Sequence, residues 1–414
     1  MIKIIEDYDS RFRKYEIAFH FFIPKTAKQA IYAGALANAL EMGTRQYPSV
    51  TAWNEACSSL YGASIHAETR MYREMIDVIV SFGGCSDDVL GCDNFKDVTA
   101  LFKEFMMHPL FLEADNTRVI KQVNLIRLQN IESIKDNPSD YCLLMAGKKA
   151  YQDTDYALDA LGSLDIVKRI IKKNLIDLYQ ELLHHSYVIV TAKGHYPTQE
   201  CYEFIDKFIN DCGIESQEKP DYSMFYLLNQ DPINSYGEFH ESFPINQCSI
   251  NQIYRTQCLK TPKNIALFNV LTEYLTGQTD SVLFQKIREK MGICYRIRAN
   301  AALIYTLDLN ISIGLSQENI SKTLKQIQIE LDAIKKNEID QDIFNFSVHN
   351  VIDALKGEDD IMGSKANKDL LLELRGFVSS TEDSIALYRR LTTQDLANFM
   401  STYTLCSTYI LENQ

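Results

Sequence analysis

The sequence of 414 residues lacks several features that would assign it to a familiar class. It contains no run of 18 apolar residues, and residues 1–7 hold no apolar core of the length found in signal peptides. Its 10 cysteines are scattered, and none of them form the Cys-x-x-Cys pair that marks zinc ribbons and redox sites. We therefore expect a soluble cytoplasmic protein whose cysteines are reduced and mostly buried.

Basic surface is also scarce in this sequence. Its 42 lysines and arginines are outnumbered by 55 aspartates and glutamates, which gives a net charge of -13. The compact basic run, formed by Lys168, Arg169, Lys172 and Lys173, has the spacing of a solvated helix face. Because a nucleic-acid binder needs a basic stripe to neutralise phosphates, the composition argues against that class.

Common catalytic motifs are missing as well. The sequence has no Gly-x-Ser-x-Gly and no phosphate-binding P-loop, and no histidine in sequence pairs with Cys57 or Cys294 as an activating base. No two of its 8 histidines have His-x-x-x-His spacing, and the pair His184 and His185, even with His195 nearby, is better explained by a helix C-terminus that favours cations. The residues alone therefore indicate no hydrolase, nucleotide-driven enzyme or metal site.

What the sequence does contain is an order of elements that occurs twice. In the first part, alternation of apolar residues predicts strands over residues 15–21, 64–71, 75–82 and 187–193, and helical spacing predicts helices over residues 28–42, 50–60 and most of 97–183, with breaks at Pro109 and Pro138. In the second part, the same patterns predict helices over residues 264–275, 281–291 and 317–336 and strands over residues 294–302, 307–315 and 407–411.

Residues 215–249 separate these two parts. They have no clear period and contain Pro220, Pro232 and Pro244, so they are predicted to be a linker. We predict an α+β fold with two homologous halves, each an antiparallel-rich sheet with helices packed on one face. The N-terminal domain is expected at residues 1–214 and the C-terminal domain at residues 250–414.

Two segments carry a more specific pattern. The first comprises residues 40–49 and 60–63, which read LEMGTRQYPS and LYGA, and the second comprises residues 275–295, which read LTGQTDSVLFQKIREKMGICY. The first resembles the segment that follows the metal motif in the pitrilysin/insulinase family of zinc peptidases. The second is similar to that family's glycine turn, Ser-x-Leu-Phe helix start and Arg-Glu-Lys-x-Gly-x-x-Tyr segment. The resemblance implies that the chain forms half of a peptidase clamshell.

The metal motif that the resemblance implies is degenerate in this chain. In the family, a helix carries His-x-x-Glu-His and a distant Glu completes the zinc site. The matching positions here are Gly34, Ala37 and Asn38, and the distant Glu corresponds to Asn130. Since glycine and alanine offer no ligand and an asparagine amide is a poor one, no metal is expected in this chain. Glu132 is interpreted as a surface carboxylate.

The resemblance gives Arg288 and Tyr295 a role in substrate binding. In the family, an Arg and a Tyr of the second half hold the substrate's backbone carbonyl and the developing oxyanion over the zinc site of the facing half. The resemblance thus implies a noncatalytic subunit of a heterodimeric zinc peptidase that cleaves peptides. This subunit would have no catalytic residues and no cofactor, and zinc would be held by a homologous partner subunit. If the chamber wall shares the net charge of -13, basic peptides are expected as substrates.

Alternatives remain open at both levels. At the level of residues, Arg288 can belong to a charged helix face with Glu289 and Lys290, and Tyr295 can simply begin a strand. At the level of the molecule, the alternative is a structural or peptide-binding scaffold protein with no peptidase activity. Its partner would then lack a zinc motif or be a second copy of the chain.

Overall fold

The structure is a computed structural model that describes residues 2–72, 75–113, 117–152, 154, 164–220, 233–302, 306–376 and 379–414, without the side chains of residues 27, 164, 165, 295 and 375. The first half of the chain forms β1 (Lys3–Tyr8), β2 (Lys14–Pro24), α1 (Ala27–Leu40), α2 (Val50–Ser59), β3 (Ser64–Met71), β4 (Met75–Cys85), α3 (Asp87–Leu90), α4 (Asn94–Met107), α5 (Thr117–Ser133), α6 (Pro138–Ala150), α7 (Leu164–Val167), α8 (Lys172–His185), β5 (Tyr187–Gly194) and α9 (Thr198–Cys212). The second half forms β6 (Glu238–Phe243), β7 (Cys248–Arg255), α10 (Pro262–Thr276), a π-helical turn (Phe284–Lys290), β8 (Cys294–Ala301), β9 (Leu309–Leu315), α11 (Ile320–Lys335), α12 (Gln341–Gly357), α13 (Ser364–Arg375), α14 (Thr381–Tyr388), α15 (Thr393–Ser401) and β10 (Thr404–Asn413).

The strands form two five-stranded sheets with the same topology. The first sheet has the order β1-β5-β2-β4-β3, and the second has the order β6-β10-β7-β9-β8. In each sheet one edge pair is parallel, β1 with β5 and β6 with β10, and the other pairs are antiparallel. The equal order of strands confirms the predicted α+β fold with two homologous halves.

The chain divides into two compact units that are not contiguous in sequence. Unit 1 comprises Met1–Glu132, Leu158–Tyr222 and Asp359–Phe377, and unit 2 comprises Ser133–Ala157, Ser223–Glu358 and Val378–Gln414. Unit 1 therefore includes α13 from the second half of the chain, and unit 2 includes α6 from the first half.

The core of unit 1 lies between its sheet and helices α1, α4, α8 and α9. It is rich in aromatic rings, and Phe102 lies 5.7 Å from Phe19 and 4.6 Å from Phe82 between ring centroids. Strand β2 supplies the alternating residues Ile17, Phe19 and Phe21, all almost fully buried. This core holds α1, the helix that carries Gly34, Ala37 and Asn38, against β3, β4 and α8.

In unit 2 both faces of the sheet are covered. Ile250 and Ile410 belong to the cluster formed with helices α10, α11 and α15. Tyr409 and Leu411, whose side chains point to the other face, pack with Cys142 and other residues of α6. The helix break predicted at Pro138 is present, since α5 ends at Ser133 and Pro138 begins α6 at the first helical position, where a missing N–H costs nothing.

The predicted linker, residues 215–249, contains a β-strand. Strand β6 lies within residues 215–249 and pairs in parallel with β10 along six residues. Its side chains alternate between half-buried and exposed, and this weak contrast explains why no period is visible in the sequence. The domain limits 1–214 and 250–414 stay a prediction. The compact units differ from these ranges because α13 belongs to unit 1 and α6 to unit 2.

Candidate functional site

Helix α1 carries Gly34, Ala37 and Asn38, three of the four positions that the resemblance matches to the metal motif. Thr26 caps the helix by accepting a hydrogen bond from the Gln29 amide. Most residues of the helix are buried, and many of these are alanines. Ala37 is buried, whereas Gly34 and Asn38 are half-buried. The fourth position, Asn130, is exposed near the end of α5.

An arginine that the sequence reasoning missed contacts this motif. Arg127 of α5 is only 3% exposed, and its Nη1 donates a long hydrogen bond of 3.4 Å to Oδ1 of Asn38. It continues the core-facing stripe of Val119 and Val123, which precede it at intervals of four residues. A charged residue in an apolar stripe was the available signal, because a buried guanidinium requires polar partners.

Zinc does not fit the residues at these positions. Gly34 and Ala37 carry no donor atom, and Asn38 uses its amide oxygen to accept from the Arg127 guanidinium. A structural or catalytic zinc site needs three or four nitrogen, sulfur or carboxylate ligands at about 2.0–2.3 Å. A permanent positive charge within hydrogen-bond distance of a ligand position opposes a divalent cation there.

A group of carboxylates elsewhere in unit 1 has the spacing of a metal site. Asp87, Asp93 and Glu200 can bring one oxygen each to within 4.8 Å of one another. However, Oδ1 of Asp87 accepts hydrogen bonds from the backbone amides of Asn94 and Phe95, both at 2.9 Å, at the start of α4. Asp93 and Glu200 are exposed, and exposed acidic residues commonly cluster without a metal. We assign this group a structural role.

Arg288 lies on the π-helical turn of unit 2 and is exposed. Its guanidinium carbon lies 4.5 Å from the ring centroid of Phe284, which restricts the side chain through a cation–π contact. Its backbone oxygen accepts from the amide of Gly292 at 3.1 Å, and Gly292 has a φ of +62°, which favours glycine. Single π-helical turns are rare and often occur at functional sites.

Tyr295 lies on a β-bulge at the beginning of β8. In the pairing of β8 with β9, Cys294 faces Leu315 and Arg296 faces Gly314, so Tyr295 is the extra residue. A bulge re-aims the side chain at which it occurs and is common next to active sites. The Tyr295 side chain itself lies outside the described part of the chain. The π-helical turn thus contains Arg288 and the bulge is at Tyr295, the two residues that the resemblance predicts to bind substrate.

The two cysteines considered as nucleophiles are poor ones. Burial raises the pKa of Cys57 to about 11. Burial also raises the pKa of Cys294, and the nearby Arg288 guanidinium only partly offsets this effect. Since the thiolate is the reactive form, both residues are protonated at neutral pH and unreactive.

A Thr, His and Asp arrangement that the sequence did not reveal occurs inside unit 1. His20 Nδ1 lies 3.0 Å from Asp77 Oδ2, and His20 Nε2 lies 3.2 Å from Thr191 Oγ1. The three side chains come from the neighbouring strands β2, β4 and β5 and are at most 4% exposed. Because no substrate reaches these buried side chains, they form no catalytic triad, and the two hydrogen bonds give both ring nitrogens of His20 a partner.

Positive charge is concentrated around Arg288. Residues 286–298 contain Lys286, Arg288, Lys290, Arg296 and Arg298, against the single acidic residue Glu289. All five cations are exposed, and Arg296 and Arg298 alternate along β8 with the buried Ile297. Strand β8 is an edge of its sheet. This edge of the sheet is therefore basic, although the net charge of the whole chain is -13.

Comparisons with known sequences find a matching family profile and a similar protein. The sequence profile described as "Peptidase M16 inactive domain" matches residues 169–351. A probable inactive metalloprotease of Bacillus subtilis, YmfF, is 21% identical over 422 residues, which cover 97% of this chain and 93% of YmfF.

Solved structures share the fold. A conserved protein from Enterococcus faecalis superposes with a TM-score of 0.85 at 18% identity, covering 100% of this chain and 97% of that chain. A peptidase M16 inactive domain from Pseudomonas fluorescens superposes with a TM-score of 0.77 at 16% identity, covering 100% and 96%. At these identities the superpositions show a common fold.

Proposed function

We propose that this chain, which is similar to inactive proteins of the M16 peptidase family, is the noncatalytic subunit of a heterodimeric zinc peptidase. In this proposal a homologous partner subunit holds the zinc ion and cleaves peptides. The present chain supplies Arg288 and Tyr295 to bind the substrate.

The exposed guanidinium of Arg288 is the observation that carries the proposal. It belongs to no ion pair among the described residues, and it rests on the Phe284 ring, so its donors are free to bind a carbonyl oxygen. A guanidinium held in one place stabilises negative charge that develops on that oxygen in the transition state. The bulge at Tyr295 supports a second donor in the same segment.

The degenerate metal motif supports the assignment of zinc to the partner. Gly34, Ala37, Asn38 and Asn130 offer no zinc site in this chain, whereas the second half keeps the substrate-binding segment. A π-helical turn and a β-bulge both often occur beside functional sites, and here they contain Arg288 and Tyr295. In this proposal, Arg288 and Tyr295 act on a substrate bound at a zinc ion of the partner.

Reconstitution with the partner tests this proposal. The chain is used to capture its partner from the native host, and zinc content and peptide cleavage are measured for the pair. Arg288→Ala should lower kcat of the pair by about 10²-fold, because removal of one oxyanion donor typically costs that much. Tyr295→Phe should lower kcat in the same direction, and neither variant should prevent assembly.

Arg390→Ala provides the matched control, since Arg390 is an exposed arginine elsewhere in unit 2 and should leave kcat unchanged. Full activity of the Arg288→Ala pair would refute the oxyanion role. Stoichiometric zinc with chelator-sensitive cleavage by the present chain alone would refute the noncatalytic assignment. A partner without zinc, or a homodimer without activity, would instead support the scaffold alternative.

A further inference from the structure

The contact between Arg127 and Asn38 joins two helices at the position of the family's metal site. We propose that the Arg127 guanidinium has replaced the metal ion as the cation that links α1 to α5, and that it closes the site to divalent metals. This inference concerns unit 1 alone and does not depend on the proposed role of Arg288.

The positions of the residues support a replacement at the same place. Asn38 corresponds to a metal ligand on α1, and its amide oxygen accepts from Nη1 of Arg127. Asn130 corresponds to the ligand on α5, and it lies three residues after Arg127, about one helical turn along that helix. The guanidinium therefore reaches the α1 ligand position from the helix that bears the other ligand.

The burial and charge of Arg127 explain why it would exclude a metal. Arg127 is 3% exposed, and an arginine stays protonated under all ordinary conditions. A guanidinium 3.4 Å from the Asn38 oxygen would lie close to a divalent ion bound at that position, and the two positive charges would repel each other. Restoring the ligands without removing this cation should consequently fail to restore the site.

The first experiment restores the ligands in two backgrounds. Gly34→His, Asn38→His and Asn130→Glu are introduced together, and Ala37 is left unchanged because its counterpart is a base and no ligand. One protein keeps Arg127 and the other carries Arg127→Leu. After dialysis against zinc, the protein with Arg127→Leu should retain about one zinc per chain, and the protein with Arg127 less than about one tenth of that. Equal zinc content in the two proteins, whether high or low, would overturn the inference.

The second experiment uses the chain with its natural residues at the motif. Arg127→Gln should lower Tm by at least about 3 °C, because it removes a buried link between two helices. Arg118→Gln is the matched control, since Arg118 is exposed on the same helix and should leave Tm unchanged. In a double-mutant cycle, the effects of Arg127→Gln and Asn38→Ala should be less than additive. An unchanged Tm for Arg127→Gln, or full additivity, would contradict the link.

Discussion

Glu373 of α13 is a residue at which three parts of unit 1 meet. Its carboxylate accepts hydrogen bonds from Lys3 of β1 and from the Tyr187 hydroxyl of β5 at 3.0 Å, and Lys219 lies 3.1 Å away. Burial alone would raise the pKa of Glu373, but these hydrogen bonds outweigh it and lower the pKa to about 2. The carboxylate thus anchors α13 to the edge of the first sheet in its charged form.

This shift predicts how stability depends on pH. A carboxylate with a folded pKa below its unfolded value stabilises the fold above the unfolded pKa, and that contribution is lost as the pH falls toward the folded pKa. Glu373→Gln should therefore lower Tm at pH 7. The difference in Tm between this variant and the unchanged chain should decrease as the pH falls from about 5 to about 3.

Thermal melts across this pH range measure the effect. Glu55→Gln, an exposed substitution on α2 in the same unit, should leave Tm unchanged throughout and serves as the control. A gap between Glu373→Gln and the unchanged chain that stays constant with pH would show that the carboxylate acts through packing and not through its charge.

The candidate site shows what single residues can and cannot reveal in a sequence. The absence of ligands at Gly34 and Ala37 follows from residue identity alone, because those side chains have no donor atoms. The contact of Arg127 with Asn38 joins residues 89 positions apart and depends on how α5 packs on α1. A stripe of apolar residues predicts a buried face, but it does not say which helix covers that face.

At the scale of elements, most strands and the long helix α11 were predicted, whereas the central strand β7 and helices α9 and α12 to α15 were not. The alternation around Phe19 and Val80 predicted β2 and β4, because a sheet buried on its core face requires period two. Strand β1 and strand β6 were not predicted, since both lie at sheet edges with mixed exposure. The predicted helix over residues 281–291 is largely a π-helical turn, a shift in hydrogen bonding that no residue spacing specifies.

Edge strand β8 leads to a prediction about substrate charge that differs from the expectation based on net charge. Surface charges are screened beyond about 8 Å at physiological salt, so a substrate bound along β8 is affected mainly by nearby charges, and residues 286–298 contain five exposed cations and one acidic residue. If the proposed function is right, the reconstituted pair should cleave acidic peptides with kcat/KM about tenfold above basic peptides of the same length. The preference should fall as salt is raised.

Charge reversal on the strand checks this expectation. Arg296→Glu with Arg298→Glu should abolish the preference for acidic peptides, because both residues lie on the solvent side of β8. Arg389→Glu with Arg390→Glu changes the net charge equally at exposed positions elsewhere in unit 2 and should keep the preference. A preference that follows net charge alone would be changed equally by both pairs of substitutions.

At the scale of the whole molecule, neither half of the sequence contains a complete unit. Helix α13 packs against β1 and β5 of unit 1, and the carboxylate of Asp7 accepts from the amide of Lys365 at 3.1 Å at the start of that helix. In unit 2, α6 packs on β7 and β10, where Ser407 Oγ donates to the backbone oxygen of Ala146 at 2.9 Å. The order of elements in the sequence predicts two halves. It cannot show that α6 of the first half belongs to unit 2 and that α13 of the second half belongs to unit 1.

The exchange predicts how fragments of the chain behave. A fragment of residues 1–220 lacks α13 and leaves the apolar face of α6 without its sheet, so when expressed alone it should aggregate. Expressed together with residues 233–414, it should become soluble and elute with the second fragment in size-exclusion chromatography. Rescue should fail when the second fragment carries Leu370→Asp and Leu374→Asp, because both leucines are buried on α13. A fragment of residues 1–220 that melts cooperatively on its own near the Tm of the full chain would show that the first sheet is stable without α13.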